Sequence, residues 1–120
     1  MDVLIAGQKW EDMAYYIVHD VVKQLPRAER YAMGMQIRSL VLSVGTHISR
    51  ATMIRDTRYK IREVAEADYA LNELKTVIRL ADRLRYIDKK KFEISVNYTA
   101  ELGRILGGWN KSLSTRGQGL

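Results

Sequence analysis

Apolar residues return along this chain every three or four positions, in four blocks separated by short polar stretches. Trp10, Ala14, Ile17, Val21 and Leu25 form the first stripe, which Pro26 ends. Met33, Ile37, Leu40, Val44, Ile48 and Ala51 form the second, broken by the polar run RDTRYK at 55–60. Val64, Ala67, Leu71, Leu74, Ile78 and Ala81 form a third, heptad-like stripe, and Phe92, Val96, Leu102, Leu106 and Trp109 the fourth. This is the period of a helix that buries one face, and no alternating strand pattern competes with it. The single proline and the absence of any Gly/Ser-rich linker point the same way.

The junctions carry their own chemistry. Pro26 suits the first turn of the second helix, where its missing N–H does no harm. Asp88 is placed to cap the fourth helix, with Ile87 and Phe92 able to staple its start. Short connections make neighbouring helices antiparallel, so the expectation is an all-α, up-down-up-down four-helix bundle. The two middle helices set its length at about 40 Å, at ~1.5 Å per residue. The domain is expected over 1–112, with 113–120, which includes STRGQGL, as a flexible C-terminal tail.

Two features bear on self-association. Beside its main stripe the third helix carries Ala70, Val77, Leu80, Leu84 and Ile87, an apolar arc that suits either two partners, the bundle core and a neighbouring subunit, or one broad core face in a tight bundle. In the fourth helix Gly107 and Gly108 each cost roughly 0.5–1 kcal/mol relative to alanine, directly before Trp109. If the helix runs through them, they clear a strip for the approach of another backbone. Val77, Leu80, Leu84, Ile87, Gly107, Gly108 and Trp109 are therefore the expected contacts of a homo-oligomer.

Charge changes the picture next. The chain has a net charge of +6, and residues 27–62 account for it, with eight basic side chains against two acidic ones. Bundle topology sends cations to both ends: Arg27, Arg30, Arg83, Arg85, Lys89, Lys90 and Lys91 to one, Arg50, Arg55, Arg58, Lys60 and Arg62 to the other, with Lys111 and Arg116 nearby. Several fall in or beside first helical turns, where the helix dipole disfavours cations by roughly 0.3–1 kcal/mol each. Cations kept in such places mark a phosphate-binding surface. The expected nucleic-acid contacts are Arg50, Arg55, Arg58, Lys60, Arg62, Arg83, Arg85, Lys89, Lys90 and Lys91; Tyr59 and Tyr86 could add faces for unpaired bases, although a tyrosine in such a place is more often a packed or rim residue.

Catalytic chemistry is not expected. There is no cysteine, so no thiol nucleophile, disulfide or sulfur-ligated metal. His19 and His47 stand on different helices without a ligand cluster, and Glu63 and Glu66 read as a solvated face. Ser39, Ser43, Thr46 and Ser49 have no partner base and suit close helix packing. No P-loop or dinucleotide fingerprint is present, so neither a cofactor nor a metal is implied. No apolar run is long enough to span a membrane, and the reading is of a cytoplasmic, non-enzymatic protein.

Three stretches carry a resemblance: LPRAERYAMGMQIR (25–38), LNELKTVIRLADRLRYIDKKKFE (71–93) and ELGRILGGWNKS (101–112). Together they resemble the superfamily that joins the accessory variability determinant (Avd) proteins of diversity-generating retroelements and the intervening-sequence proteins of large-subunit ribosomal RNA. The start of the second helix is shared broadly, whereas IRLADRLRYID followed by GRILGGWNKS looks more like Avd. The resemblance implies a pentameric ring that partners the element's reverse transcriptase and its RNA and supports mutagenic reverse transcription and retrohoming. It transfers no catalytic motif and fixes no individual binding residue. An RNA-binding protein of the intervening-sequence type, or a protein-interaction scaffold indifferent to nucleic acid, would share the fold.

Overall fold

The structure is a computed structural model that describes residues 2–118, with side chains over 5–115. Helix α1 (Asp2–Tyr16) passes into a π-helical turn at Ile17–Val21 and a last short turn, α2 (Val22–Gln24). A 3-10 segment at Arg27–Tyr31 leads into α3 (Met33–Met53), followed by α4 (Thr57–Arg83) and α5 (Lys89–Gln118). The α1–α2 rod and the helices α3, α4 and α5 pack as the expected all-α bundle, each against two neighbours. Cross-links fix the antiparallel order: Trp10 with Val41, Lys9 with Glu101, Tyr16 with Tyr98, and His47 with Glu63. No strand occurs among the described residues.

The core follows the stripes closely. All six stripe residues of α4 are buried, as are Ile37, Val44, Ile48 and Ala51 of α3. The first rod shows why periodicity alone is incomplete. Met13, Ile17, Val21 and Leu25 step by four and are all fully buried. Steps of four drift by about 40° each around an α-helix with 3.6 residues per turn. The wider π turn at Ile17–Val21 absorbs that drift and keeps the row facing inward.

In α5 the expected Val96 is 43% exposed, and Ser95 and Thr99 are buried in its place. Their hydroxyls donate to the carbonyls of Lys91 and Ser95, so burial leaves neither unsatisfied. The bundle extends 52 Å along its long axis, more than the expected length, because α5 adds residues beyond the predicted boundary. Leu113 is buried in the core and the helix continues to Gln118, so the stretch expected as a tail from 113 is helical as far as it is described. Residues 119–120 lie outside the described residues.

One close contact holds α1 against α3. The Trp10 indole lies on the backbone of α3 at Gly45, where any Cβ would overlap the ring. Its Nε1–H donates to the Val41 carbonyl at 2.8 Å. Close helix packing therefore rests on Gly45, while Ser39, Thr46 and Ser49, expected to form the packing surface, are exposed.

Candidate nucleic-acid interface

The α3–α4 corner is built from three helix-end bonds. Asp56 caps α4 by accepting from the Arg58 backbone N–H at 2.9 Å, and the Arg58 guanidinium folds back onto the same carboxylate at 3.1 Å. The hydrogen bonds from Arg58 hold the Asp56 carboxyl below its ordinary pKa. Lys60 reaches back across the turn and donates to the Ala51 carbonyl at 2.7 Å, satisfying an acceptor that the end of α3 leaves open. Further in, His47 Nδ1 meets Glu63 Oε2 and ties the two helices together.

With Asp56 and Lys60 so occupied, the remaining cations of this corner stand apart. Arg50, Arg55 and Arg62 are exposed and make no ion pair among the described residues. The ring of Tyr59 is half exposed, with the Arg58 guanidinium 5.8 Å and the Arg62 guanidinium 5.7 Å from its centroid. The corner thus presents two guanidinium groups beside one aromatic ring, with Asp56 the only carboxylate in the 54–62 turn.

The α4–α5 corner disposes of its charge differently. Helix α4 closes in a Schellman arrangement, with Arg85 N–H donating to Asp82 O and Tyr86 N–H to Ala81 O, both at 2.9 Å. The residue in the left-handed position is Arg85, φ 62°, where glycine is the usual occupant. Asp88 caps α5 through the Lys91 N–H at 2.8 Å and exchanges two bonds with Gln24. Gln24, followed by the Lys91 backbone N–H, keeps the Asp88 carboxyl below its ordinary pKa.

Three cations of this end are engaged. Lys89 pairs with Asp82 at 3.1 Å and Lys91 with Asp88 at 3.7 Å. Arg30 donates to the carbonyls of Leu25 and Lys23, and with Arg27 it lies in the 3-10 segment instead of the first turn of α3. Tyr86 is half buried, with its hydroxyl 3.4 Å from Glu29. Of the predicted contacts here, Arg83, Arg85 and Lys90 are exposed and without an ion pair among the described residues.

The expected oligomer contacts separate. Ile87 and Trp109 are buried in the chain's own core, at 5% and 4% exposure: α4 ends at Arg83, so Ile87 packs inward from the α4–α5 connection and not from the arc of a helix, and Trp109 does so from the α5 stripe. Val77 packs against that core, and Leu80 and Leu84 remain about half exposed. Helix α5 does run through Gly107 and Gly108, and a Cβ at either would meet nothing, so the strip is bare toward solvent.

The two histidines are engaged with carboxylates, His19 with Asp20 and His47 with Glu63. No group of three or more metal-ligating side chains converges among the described residues. No helix among them is long and apolar enough to cross a membrane.

The fold recurs in a solved structure. A protein of unknown function from the S23 ribosomal protein family of Bacteroides thetaiotaomicron VPI-5482, with a crystal structure at 1.70 Å, superposes with a TM-score of 0.83. The two share 22% identity over 92% of this chain and 99% of that one, a likeness of fold. No curated protein matches the sequence. The bAvd-like family model matches residues 4–113, almost the whole bundle, and the chain belongs to that family, the Avd-type accessory proteins of diversity-generating retroelements.

Proposed function

We propose that this accessory protein binds RNA or DNA together with the reverse transcriptase of its retroelement, and so supports mutagenic reverse transcription and retrohoming. The observation that carries this is the α3–α4 corner, where Arg50, Arg55 and Arg62 make no ion pair among the described residues, in the segment that holds the chain's +6. Phosphate contacts release counterions, so binding through such groups weakens steeply as salt rises. Fluorescence anisotropy of a labelled oligonucleotide across a salt series is the test. A linear fall of log affinity with log salt is expected, and salt-independent binding, or none, overturns the assignment. The fold shared with an S23-family protein does not choose between a retroelement RNA and a ribosomal one; a reverse transcriptase gene beside this one favours the first.

The protein acts in this reading as a homo-oligomer, a pentameric ring, in the cytoplasm. The half-exposed Leu80 and Leu84 and the bare strip at Gly107 and Gly108 support self-association. A monomer mass by light scattering at micromolar concentration overturns it. No enzymatic role is assigned, and template-dependent nucleotide incorporation by the pure protein would contradict that.

A further inference from the structure

Two tyrosines stand exposed on α4, Tyr59 at 50% and Tyr69 at 62%. Both have carboxylates three residues before and four after, but those of Tyr59, Asp56 and Glu63, are held by Arg58 and His47, whereas those of Tyr69 make no ion pair among the described residues. Tyr59 has the guanidinium groups of Arg58 and Arg62 within 6 Å of its ring centroid. Tyr69 has Glu66 three residues before it and Glu73 four after, the positions that share its helix surface. A ring beside carboxylates with no ion pair repels a phosphodiester chain, whereas a ring beside guanidinium groups receives one.

Placement strengthens the contrast. Glu63 marks the seam between α3 and α4 through its bond to His47. Tyr59 lies four residues before Glu63 and Arg50 three after His47, so both border that seam on adjacent helices. Asp56 and Lys60 lock the turn that carries them, so the ring is presented from rigid backbone. Arg58 is 84% exposed and Arg62 is exposed, so either can leave the ring and follow an incoming phosphate.

We propose that this seam is a site for single-stranded nucleic acid, in which an unpaired base stacks on Tyr59 while Arg50, Arg55 and Arg62 meet the flanking phosphates. The inference rests on the nucleic-acid reading above and narrows it from any polyanion to one with exposed base faces. A paired base in a duplex interior has no free face to offer the ring, so the site discriminates between the two forms.

The test compares labelled single-stranded RNA, single-stranded DNA of matching sequence and the DNA duplex, each titrated with wild type and with Tyr59→Leu, Tyr59→Phe and Tyr69→Leu. Tyr59→Leu is expected to weaken single-strand binding about 5- to 150-fold, the range for loss of one base stack. Its salt slope stays that of wild type, because no charge is removed. Duplex binding is unchanged, Tyr59→Phe retains single-strand affinity, and Tyr69→Leu behaves as wild type. A preference between the RNA and DNA single strands names the source of the unpaired base, and either supports the site. Wild-type single-strand affinity in Tyr59→Leu, or an equal loss on the duplex, overturns the stacking site while leaving polyanion binding in place. Failure of wild type to bind any of the three overturns both readings.

Discussion

At the α3–α4 corner Asp56 is the one carboxylate of the turn, and it is held by Arg58. At the α4–α5 corner Asp82, Asp88 and Glu29 are interleaved with the cations, and Lys89, Lys91 and Tyr86 are turned toward them. Both ends look basic as strings of letters, and the tripeptide KKK at 89–91 is the densest cationic run in the chain. Among the described residues each corner leaves three of the expected contacts without an ion pair, Arg50, Arg55 and Arg62 at the first and Arg83, Arg85 and Lys90 at the second, and the difference lies in the carboxylates set among the cations. A lysine bound to a carboxylate is not free to replace a counterion on a phosphate, so counting cations overstates the second corner.

The largest expected effect breaks or upholds that contrast directly. Replacing Arg50, Arg55 and Arg62 with glutamine should lower oligonucleotide affinity by more than an order of magnitude. The salt slope should fall by up to about three units, one for each phosphate that no longer meets a guanidinium, with no drop in melting temperature. The matched triple change of Arg83, Arg85 and Lys90 should cost clearly less in both readouts. Equal losses in anisotropy titrations would mean that pairing with Asp82 and Asp88 does not quiet the second corner.

Lys60 sharpens the comparison from inside the first corner. Because its ammonium satisfies the Ala51 carbonyl, Lys60→Gln should lower stability in urea melts by about 1–2 kcal/mol and leave the salt slope close to wild type. Arg85→Gly tests the second corner in the opposite sense. Relieving a left-handed conformation that costs a side chain roughly 1 kcal/mol should raise the melting temperature slightly while binding falls little. A lower melting temperature would show that the Arg85 side chain stabilises its turn by more than the strain.

The smallest effect is in acid. Asp56 and Asp88 both have carboxyl pKa values depressed in the folded chain, Asp56 first by its side-chain bond to Arg58 and Asp88 first by its bond to Gln24. Depressed values mean stability that is present above about pH 4 and lost as pH falls through the folded values. Melting temperature should therefore drop below about pH 4, and less steeply in the Asp56→Asn, Asp88→Asn double variant, which starts lower at pH 7. Added salt should soften the Asp56 contribution more, since its first partner is charged and that of Asp88 is not. A double variant as acid-sensitive as wild type would remove the caps as the cause.

Much of the fold is legible because burial repeats. Every stripe residue of α4 is a core residue, since a long regular α-helix converts spacing directly into direction. Legibility fails where a local geometry or a distant atom intervenes. The four-residue steps of Met13, Ile17, Val21 and Leu25 need a π turn to face one way. Ser95 and Thr99 can replace Val96 in the core only because carbonyls of their own helix accept their hydroxyls. Gly45 is one small residue among several in its segment, and the partner that singles it out, Trp10, lies on another helix. The candidate site is legible as a place, the basic segment 27–62, but not as a set of working residues.

The sequence by itself determined the helices, their antiparallel order, the address of the excess charge and the absence of thiol chemistry, because each of these follows from spacing and composition along one dimension. Tertiary structure decided which cations are free and which close a helix end. It also turned Ile87 and Trp109 inward and left Leu80, Gly107 and Gly108 bare. The physical reason is range: an apolar stripe acts through its own helix, whereas the availability of a charge depends on whichever carboxylate or carbonyl the fold brings within about 3 Å of it.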